Sequence, residues 1–221
     1  MGARPSPYFG ETLRVSVFSD KYFKGWDGDV ADTDVPAVIP SPLALALETE
    51  YDTDAHAAGY VLGTSEGDWT PRMLKGSIRV PAVAAALRMC VGFIDLDRPN
   101  VPGATGHPPW PDTAQGTLDA HAAVTTLSAL FPRCAVFSTR AGARIVYVLP
   151  EPCTVQTYIP YARAVLNQVQ AVVSAAGLAL DVDGTTVEWT RVFRMPRVVR
   201  DGKKTSEAPY FAMRVPADLG P

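Results

Sequence analysis

Two aspartates separated by one residue end an apolar run at residues 90–97, CVGFIDLD, and Pro99 follows shortly after. Successive side chains on a strand point to opposite faces, so Asp95 and Asp97 share one face while Leu96 points into the packing. Adjacent carboxylates repel each other unless a cation lies between them. Mg²⁺ and Mn²⁺ prefer oxygen ligands of this kind, and two-metal phosphoryl transfer needs several of them. The pair therefore predicts a divalent metal site, and the alternative is a strand that ends in an acidic turn.

A second candidate is the glycine-containing segment STRAGAR at residues 138–144, which lies between two apolar runs. Its polar side chains are Ser138, Arg140 and Arg144. Guanidinium groups and the backbone N–H groups of a tight turn are donors that suit phosphate oxygens. The segment predicts a phosphate-binding hairpin, and the alternative is a hairpin with solvent-exposed charges.

A third acid ends the segment LALDVD at residues 178–183. Asp183 and Asp181 share one face if this segment is a strand, so either is a candidate ligand. Asp183-Gly184 is also a hairpin-turn signal, which is the structural alternative. Eight residues after Asp183 comes Arg191, and the segment RVFRMP continues to Arg194 and beyond.

Strands and helices must bring these distant residues together. Apolar patterns predict strands at 13–18, 60–63, 90–97, 134–137, 144–149, 178–183, 186–199 and 210–215. They predict helices at about 112–130, ended by Pro132, and 155–176, ended by Gly177. Residues 21–42 read as an irregular loop, 43–50 as a strand or the start of a helix, and 81–89 as a short helix.

The order strand, helix, hairpin, helix, strand over residues 90–183 predicts an α+β fold, in which helices flank a mostly antiparallel sheet. The 221 residues suffice for one large domain with a substantial core. We expect a single domain over 1–221, with an N-terminal α/β module at 1–87 and a metal-binding module at 88–221.

Composition limits the partners and the compartment. The net charge is −3, so nucleic acid would have to bind a local basic surface such as residues 191–204, which include Lys203 and Lys204. Three widely spaced cysteines argue against a disulfide framework and for a reducing compartment. Neither a signal peptide nor a membrane-spanning apolar run is visible. These features predict a cytoplasmic protein without a membrane partner.

In this order, the three motifs resemble those of the archaeo-eukaryotic primase superfamily, and in particular the primase-polymerases of phages and plasmids. The strand 93–97 matches the family's Asp-x-Asp motif, residues 138–144 approximate its serine- and base-containing hairpin, and Asp183 with residues 191–196 approximates its third motif. The spacing to Arg191 favours Asp183 over Asp181. The resemblance covers roughly residues 88–204, and Arg144 stands where the family commonly has histidine.

The resemblance implies an RRM-like catalytic core and a template-directed nucleotidyltransferase that acts as a DNA primase, a DNA polymerase or both. It implies that Asp95, Asp97 and Asp183 are catalytic and bind two divalent ions, Mg²⁺ or Mn²⁺. The implied nucleotide-binding residues are Ser138, Arg140, Arg144 and Arg194, and the implied DNA-binding residues are Arg191, Lys203 and Lys204. The implied partners are a single-stranded DNA template, a primer and nucleoside triphosphates, within a longer phage or plasmid replication protein that has a fused or associated helicase.

Two other functions are open from the sequence. Residues 47–53, LETEYDT, resemble the acidic first motif of proofreading-type exonucleases, which would make the chain a metal-dependent 3′–5′ nuclease. The second is a non-catalytic RRM-like domain that binds single-stranded nucleic acid. Such a domain usually presents aromatic side chains on its central strands, whereas these strands end in aspartates that repel phosphate.

Overall fold

The computed structural model describes residues 14–18, 38–62, 87–103, 105–189 and 191–219. The described elements include twelve strands and three α-helices. In the N-terminal part these are β1 (Arg14–Phe18), β2 (Val38–Pro42), α1 (Leu43–Glu48), β3 (His56–Ala58), β4 (Tyr60–Leu62) and β5 (Leu87–Asp97). They continue as α2 (Ala114–Leu130), β6 (Ala135–Thr139), β7 (Gly142–Cys153), α3 (Val155–Ala175), β8 (Asp181–Val182), β9 (Phe193–Arg194), β10 (Val199–Arg200), β11 (Lys203–Lys204) and β12 (Met213–Arg214), with short 3₁₀ helices at Gly184–Val187 and Thr205–Glu207.

The main sheet has six strands in the order β12-β6-β7-β5-β4, and β8 pairs with β5. Every strand pairing among the described residues is antiparallel. The predicted α+β class with a mostly antiparallel sheet flanked by helices is therefore confirmed. The long central pair is β5 with β7, whose register places Asp95 opposite Arg144.

Helices α2 and α3 cover one face of the main sheet. Helix α2 begins after Thr113, whose side chain accepts a hydrogen bond from the N–H of Gly116, as expected of a threonine N-cap. Leu127 of α2 and Val173 of α3 are fully buried in one apolar cluster with Ile94 and other residues of the central strands. Both helices agree with the predicted segments.

The opposite face of the main sheet packs against α1 and a smaller sheet with the order β2-β1-β3-β9. The ring of Phe93 on β5 stacks on that of Phe193 on β9, with centroids 4.6 Å apart. Because Asp95 and Asp97 share the β5 face with Phe93, they point toward the smaller sheet. The acids therefore lie where two sheets meet.

The smaller sheet also crosses the predicted module boundary. Its strand β9 comes from the C-terminal part and pairs with β3, while β4 from the N-terminal part pairs with β5 of the main sheet. Each of the two sheets therefore contains strands from both sides of the predicted module boundary at residue 87.

Several predicted elements differ from the structure. Residues 38–42 form strand β2 and not a loop. The two prolines of this segment, Pro40 and Pro42, are tolerated because β2 is the end strand of its sheet. Residues 43–48 are helical, and residues 87–89 belong to β5 and not to a helix. The two long C-terminal strands are replaced by two-residue strands and 3₁₀ turns, because Pro196 and Pro209 cannot donate sheet hydrogen bonds. Residues 21–37 and 81–86 lie outside the described residues.

Within the described part of the chain, none of the helices combines the length and the apolar character that crossing a bilayer requires.

Gly142 allows the close approach of β7 to β5. A Cβ atom at this position would lie 1.9 Å from the carbonyl oxygen of Leu96. We predict that Gly142→Ala lowers the free energy of unfolding by about 1–3 kcal/mol, as overpacking typically does. Urea-induced unfolding measures the change. Gly184→Ala is the matched control, because no atom lies within 4 Å of its built Cβ, and equal stabilities of the two variants would contradict the prediction.

Candidate functional site

Three aspartates lie together at the end of β5. Strand β8 pairs with β5 so that Asp97 faces Asp181, and the N–H of Asp183 donates to the carbonyl oxygen of Asp95 at 2.9 Å. Residues opposite each other in an antiparallel pair present their side chains on the same face. Asp183 therefore lies beside Asp95, and the side chain of Asp181 is exposed to solvent.

Asp95 forms a buried, bidentate ion pair with Arg144. Nε and Nη2 of Arg144 donate to Oδ1 and Oδ2 of Asp95 at 2.7 and 2.9 Å, and the side chains of Arg144 and Asp95 are only 10% and 11% exposed. The remaining Nη1 donates to the carbonyl oxygen of Arg194 at 2.7 Å. The guanidinium also lies 5.2 Å from the ring centroid of Phe193. Arg144, which the sequence predicted to bind nucleotide, thus holds an acid and the backbone of β9.

Asp183 is held by Arg191 and by its own turn. Nη1 of Arg191 donates to Oδ2 of Asp183 at 2.8 Å, and its Nη2 lies 3.7 Å from Asp95. Oδ1 of Asp183 accepts from the N–H and the hydroxyl of Thr185, both at 2.8 Å, which caps a 3₁₀ turn and not the hairpin that Asp183-Gly184 had suggested. Burial acts to raise the pKa of Asp183, but the Thr185 hydrogen bonds and the Arg191 charge outweigh it and lower the pKa. Arg191, which was predicted to contact DNA, forms ion pairs with Asp183 and Asp95.

Asp97 differs from the other two acids because no arginine or lysine pairs with it among the described residues. Burial and the negative charge of Asp95 raise its pKa, and Asp183 contributes in the same direction. Its nearest basic group is His107, with Nε2 at 3.6 Å from Oδ2. The Nδ1 atom of His107 hydrogen-bonds the carbonyl oxygen of Arg98 at 2.8 Å. From the sequence, His107 was expected only to cap a loop and was given no functional role, although its place in the loop directly after the acids was a usable signal.

The acids fit a hard divalent cation by their chemistry, since Asp97 is a carboxylate whose neighbours are mainly other carboxylates. The arginines complicate the fit, because Arg144 and Arg191 occupy oxygens of Asp95 and Asp183. Across the described residues, no set of three or more His, Cys, Asp and Glu side chains is arranged to hold a metal ion. Of the three acids, Asp97 is the one whose carboxylate is open to a cation, and Asp95 and Asp183 would coordinate one only after their arginines moved.

One small cavity is lined by four arginines, including Arg144. Its volume is about 50 Å³, roughly four times what one water molecule needs. The lining guanidinium groups belong to Arg140, Arg144, Arg194 and Arg200. Burial lowers the pKa of Arg200, and the charges of Arg194 and Arg140 lower it further. An anion placed in the cavity would relieve this mutual repulsion.

The members of this cavity differ in what already holds them. Arg194 donates through Nε and Nη2 to the carboxylate of Asp54, the second contact at 3.0 Å. Arg140 has no ion pair in the part of the chain that the structure describes. Ser138, predicted to bind nucleotide, donates its hydroxyl to the carbonyl oxygen of Ala212 at 3.3 Å and accepts from the Ala212 N–H at 2.8 Å. Its hydroxyl thus fixes the segment before β12.

Asp54 and His56 support the cavity from the smaller sheet. His56 lies opposite Arg194 in the β3–β9 pair. Burial lowers the pKa of His56 to about 4, with a further contribution from the Arg194 charge, so the imidazole is neutral at pH 7. Both residues were missed, because no local motif connects them to the basic segment 140 residues away. Arg200 was missed as well, although it belongs to the basic run 191–204.

Lys203 and Lys204, predicted to contact DNA, are exposed on β11. They line a larger groove of about 910 Å³ that also includes Arg140 and Arg200. The basic residues of the tail thus have different surroundings. Arg191 forms ion pairs with the acids, Arg194 and Arg200 line the cavity, and Lys203 and Lys204 line the groove.

Removing the charge of Asp95 leaves Arg144 buried without a counter-ion. We predict that Asp95→Asn lowers the free energy of unfolding by about 3–5 kcal/mol. Urea titration at pH 7 measures it. The matched control is Glu50→Gln, which breaks the exposed pair of Glu50 with Arg197, 2.9 Å long, and should cost about 0–1 kcal/mol. Equal losses for the two variants would contradict a special role for the buried pair.

Asp97 and Asp183 should affect stability with opposite signs. The pKa of Asp183 is lowered, so its ionised form stabilises the fold above the ordinary value of 3.8 and this contribution is lost as the pH falls through the lowered pKa. The pKa of Asp97 is raised, so its contribution is present at low pH and is lost as the pH rises from 3.8 through the raised pKa. At pH 7, Asp97→Asn should stabilise the fold and Asp183→Asn should destabilise it, and both differences should shrink toward pH 3. Unfolding curves over pH 3–7 test this, and changes of the same sign would refute it.

No known protein family, curated protein or solved structure matches this chain. What is established is an α+β fold, with three aspartates and an arginine-lined cavity at the junction of its two sheets.

Proposed function

We propose that this chain is a template-directed nucleotidyltransferase with an RRM-like primase-polymerase core, which joins nucleoside triphosphates on a single-stranded DNA template. One observation carries the proposal: Asp95, Asp97 and Asp183 converge on one face, and a cavity lined by four arginines adjoins them. Carboxylates beside a polycationic cavity are the charge pattern that a triphosphate and its counter-ions require.

In nucleotidyl transfer, a 3′-hydroxyl oxygen attacks the α-phosphorus of a triphosphate and loses its proton, while the bond to the β-phosphate oxygen breaks and pyrophosphate leaves. Positioning and charge neutralisation supply most of the catalysis. A divalent ion would be held by Asp97, with Asp95 and Asp183 as further ligands once their arginines move, and it would supply Lewis-acid stabilisation of the phosphate oxygens.

Arg144 connects the acids to the cavity. It binds Asp95 with Nε and Nη2, and it also lines the cavity. A triphosphate that places its α-phosphate at the acids would therefore extend its β- and γ-phosphates past Arg144 toward Arg140 and Arg200. These two arginines have no strong partner: Arg140 has none among the described residues, and Arg200 has only the exposed Asp201 at 3.7 Å. They are the groups best suited to hold the leaving pyrophosphate.

The nuclease alternative has less support. Its acidic motif at residues 47–53 begins in helix α1 and continues into a turn, and not at the end of a strand. Glu50 of this segment is paired with Arg197 at the surface. Its acids therefore lack the strand geometry on which that resemblance depended.

The decisive experiment measures nucleotide incorporation on a single-stranded template with Mg²⁺ or Mn²⁺, with and without a primer. We predict that Asp97→Asn lowers the rate at least about 10²-fold, since it removes the open carboxylate, whereas Asp119→Asn on the exposed face of α2 has no effect. Because Asp97→Asn should also be the more stable protein, lost activity would not be explained by unfolding. No product from the wild type, or equal rates for the Asp97 variant, would reject the function, and shortening of the strands would favour a nuclease.

A further inference from the structure

A short hairpin forms one wall of the large groove. Strands β10 and β11 are joined by Asp201 and Gly202, whose φ angles of 51° and 74° are both positive. Two consecutive positive φ angles are typical of a type I′ hairpin turn, for which Asp-Gly is a preferred sequence. The pairing places Arg200 directly opposite Lys203. At the base of the hairpin, the hydroxyl of Thr205 accepts a hydrogen bond from the N–H of Val198 at 2.9 Å. This hydrogen bond helps to fix the backbone that carries the basic side chains.

Aromatic side chains complete the groove. Two hydrogen bonds anchor Trp110. Its indole Nε1 donates to the carbonyl oxygen of Gly142 at 3.1 Å, and its backbone N–H donates to the carbonyl oxygen of Arg140 at 2.9 Å. Tyr210 lines both the groove and the arginine cavity and is half-buried. Its hydroxyl forms no hydrogen bond within the described residues, so removing that hydroxyl would not disturb the fold.

The groove and the arginine cavity are continuous. They share Arg140, Arg200, Thr205 and Tyr210. The volume of about 910 Å³ lies near the upper end of the range for sites that bind small molecules, which is roughly 300–1,000 Å³. An occupant that places phosphates in the cavity would therefore have room to extend along the groove by more than one monomer unit.

The charges of the groove suit a polyanion. Four cationic side chains line it: Arg140, Arg200, Lys203 and Lys204. Three acids also line it, Asp112, Asp201 and Glu207, and all three are exposed at the surface. Cationic side chains next to aromatic rings are the pattern by which proteins hold unpaired bases and their phosphates. A duplex hides its base faces, so these rings favour a single strand.

We infer that the groove between the 109–112 loop and the β10–β11 hairpin binds single-stranded nucleic acid, with a base stacked on Tyr210 and phosphates on Lys203, Lys204 and Arg200. The inference rests on the proposed function in one respect, because it identifies the strand as the template or primer that leads to the aspartates. Arg140 and Arg200 then belong to both sites, where the strand meets the incoming nucleotide.

The test is fluorescence anisotropy with a labelled 15-nucleotide oligo-dT, in the absence of metal and nucleotide. Tyr210→Ala should weaken binding about tenfold, the typical loss of one base–aromatic stack, whereas Tyr210→Phe should bind like the wild type. Replacing Lys203 and Lys204 together with alanine should weaken binding and reduce the slope of log K against log salt by roughly 1.4. The matched control replaces Arg133 and Arg163, two exposed arginines outside the groove, and should leave the affinity unchanged.

The outcomes separate this inference from the proposed function. Oligo-dT binding that is unaffected by the groove variants, or that polyglutamate displaces as well as unlabelled oligo-dT does, overturns the groove as a nucleic-acid site. Binding that follows the predicted pattern in a protein without nucleotidyl transfer supports the groove and rejects only the proposed function. Nucleotidyl transfer that persists at the wild-type rate and template affinity in the groove variants rejects the groove alone. A parallel oligo-rU titration shows whether the strand is DNA or RNA.

Discussion

The ion pair between Asp95 and Arg144 is the interaction on which the site depends. It joins the two central strands at their buried ends, and Arg144 continues it to the carbonyl oxygen of Arg194 in the second sheet. Arg194 in turn holds Asp54, so one chain of charged groups runs from the main sheet to the start of β3. Withdrawing these charges from water is costly, and only near-complete hydrogen bonding offsets that cost. The arrangement therefore tolerates little change at any member.

This chain of charges also explains how acids and bases coexist in a small volume. Asp95 and Asp183 are paired with Arg144 and Arg191, whereas Asp97 has no arginine or lysine partner among the described residues, and burial and the neighbouring carboxylates raise its pKa. On the other side of Arg144, the arginines of the cavity repel one another. The protein thus keeps a negatively charged region and a positively charged region side by side, and the guanidinium of Arg144 lies between them. Such separated, unrelieved charges reduce stability, which is a common property of functional sites.

Much of the fold was predictable because its signals are local. The α2 and α3 segments, the β6–β7 hairpin and the alternation that places Asp95 and Asp97 on one face all follow from periodicity and end signals. The choice of Asp183 over Asp181 rested on the family resemblance, because both acids fit the same strand alternation. The roles of the arginines did not, because each is decided by a partner far along the chain: Arg144 by Asp95, Arg194 by Asp54. A sequence shows that a guanidinium is present, but only the register of β5 with β7 and of β3 with β9 determines which anion it meets.

The β10–β11 hairpin pairs with neither of the two larger sheets. Its position depends on its own turn, on the hydroxyl of Thr205 and on a hydrogen bond from the N–H of Val199 to the carbonyl oxygen of Thr53, and it has no part in the register of β5 and β7. Under the proposed function, the acids and the strand-binding groove stand on separate elements of the fold, and Arg200 of the hairpin lines both the groove and the adjoining arginine cavity. The turn at Asp201 and Gly202 and the charges of Lys203 and Lys204 are therefore the parts of this groove whose change would leave both the aspartates and the central strands in place.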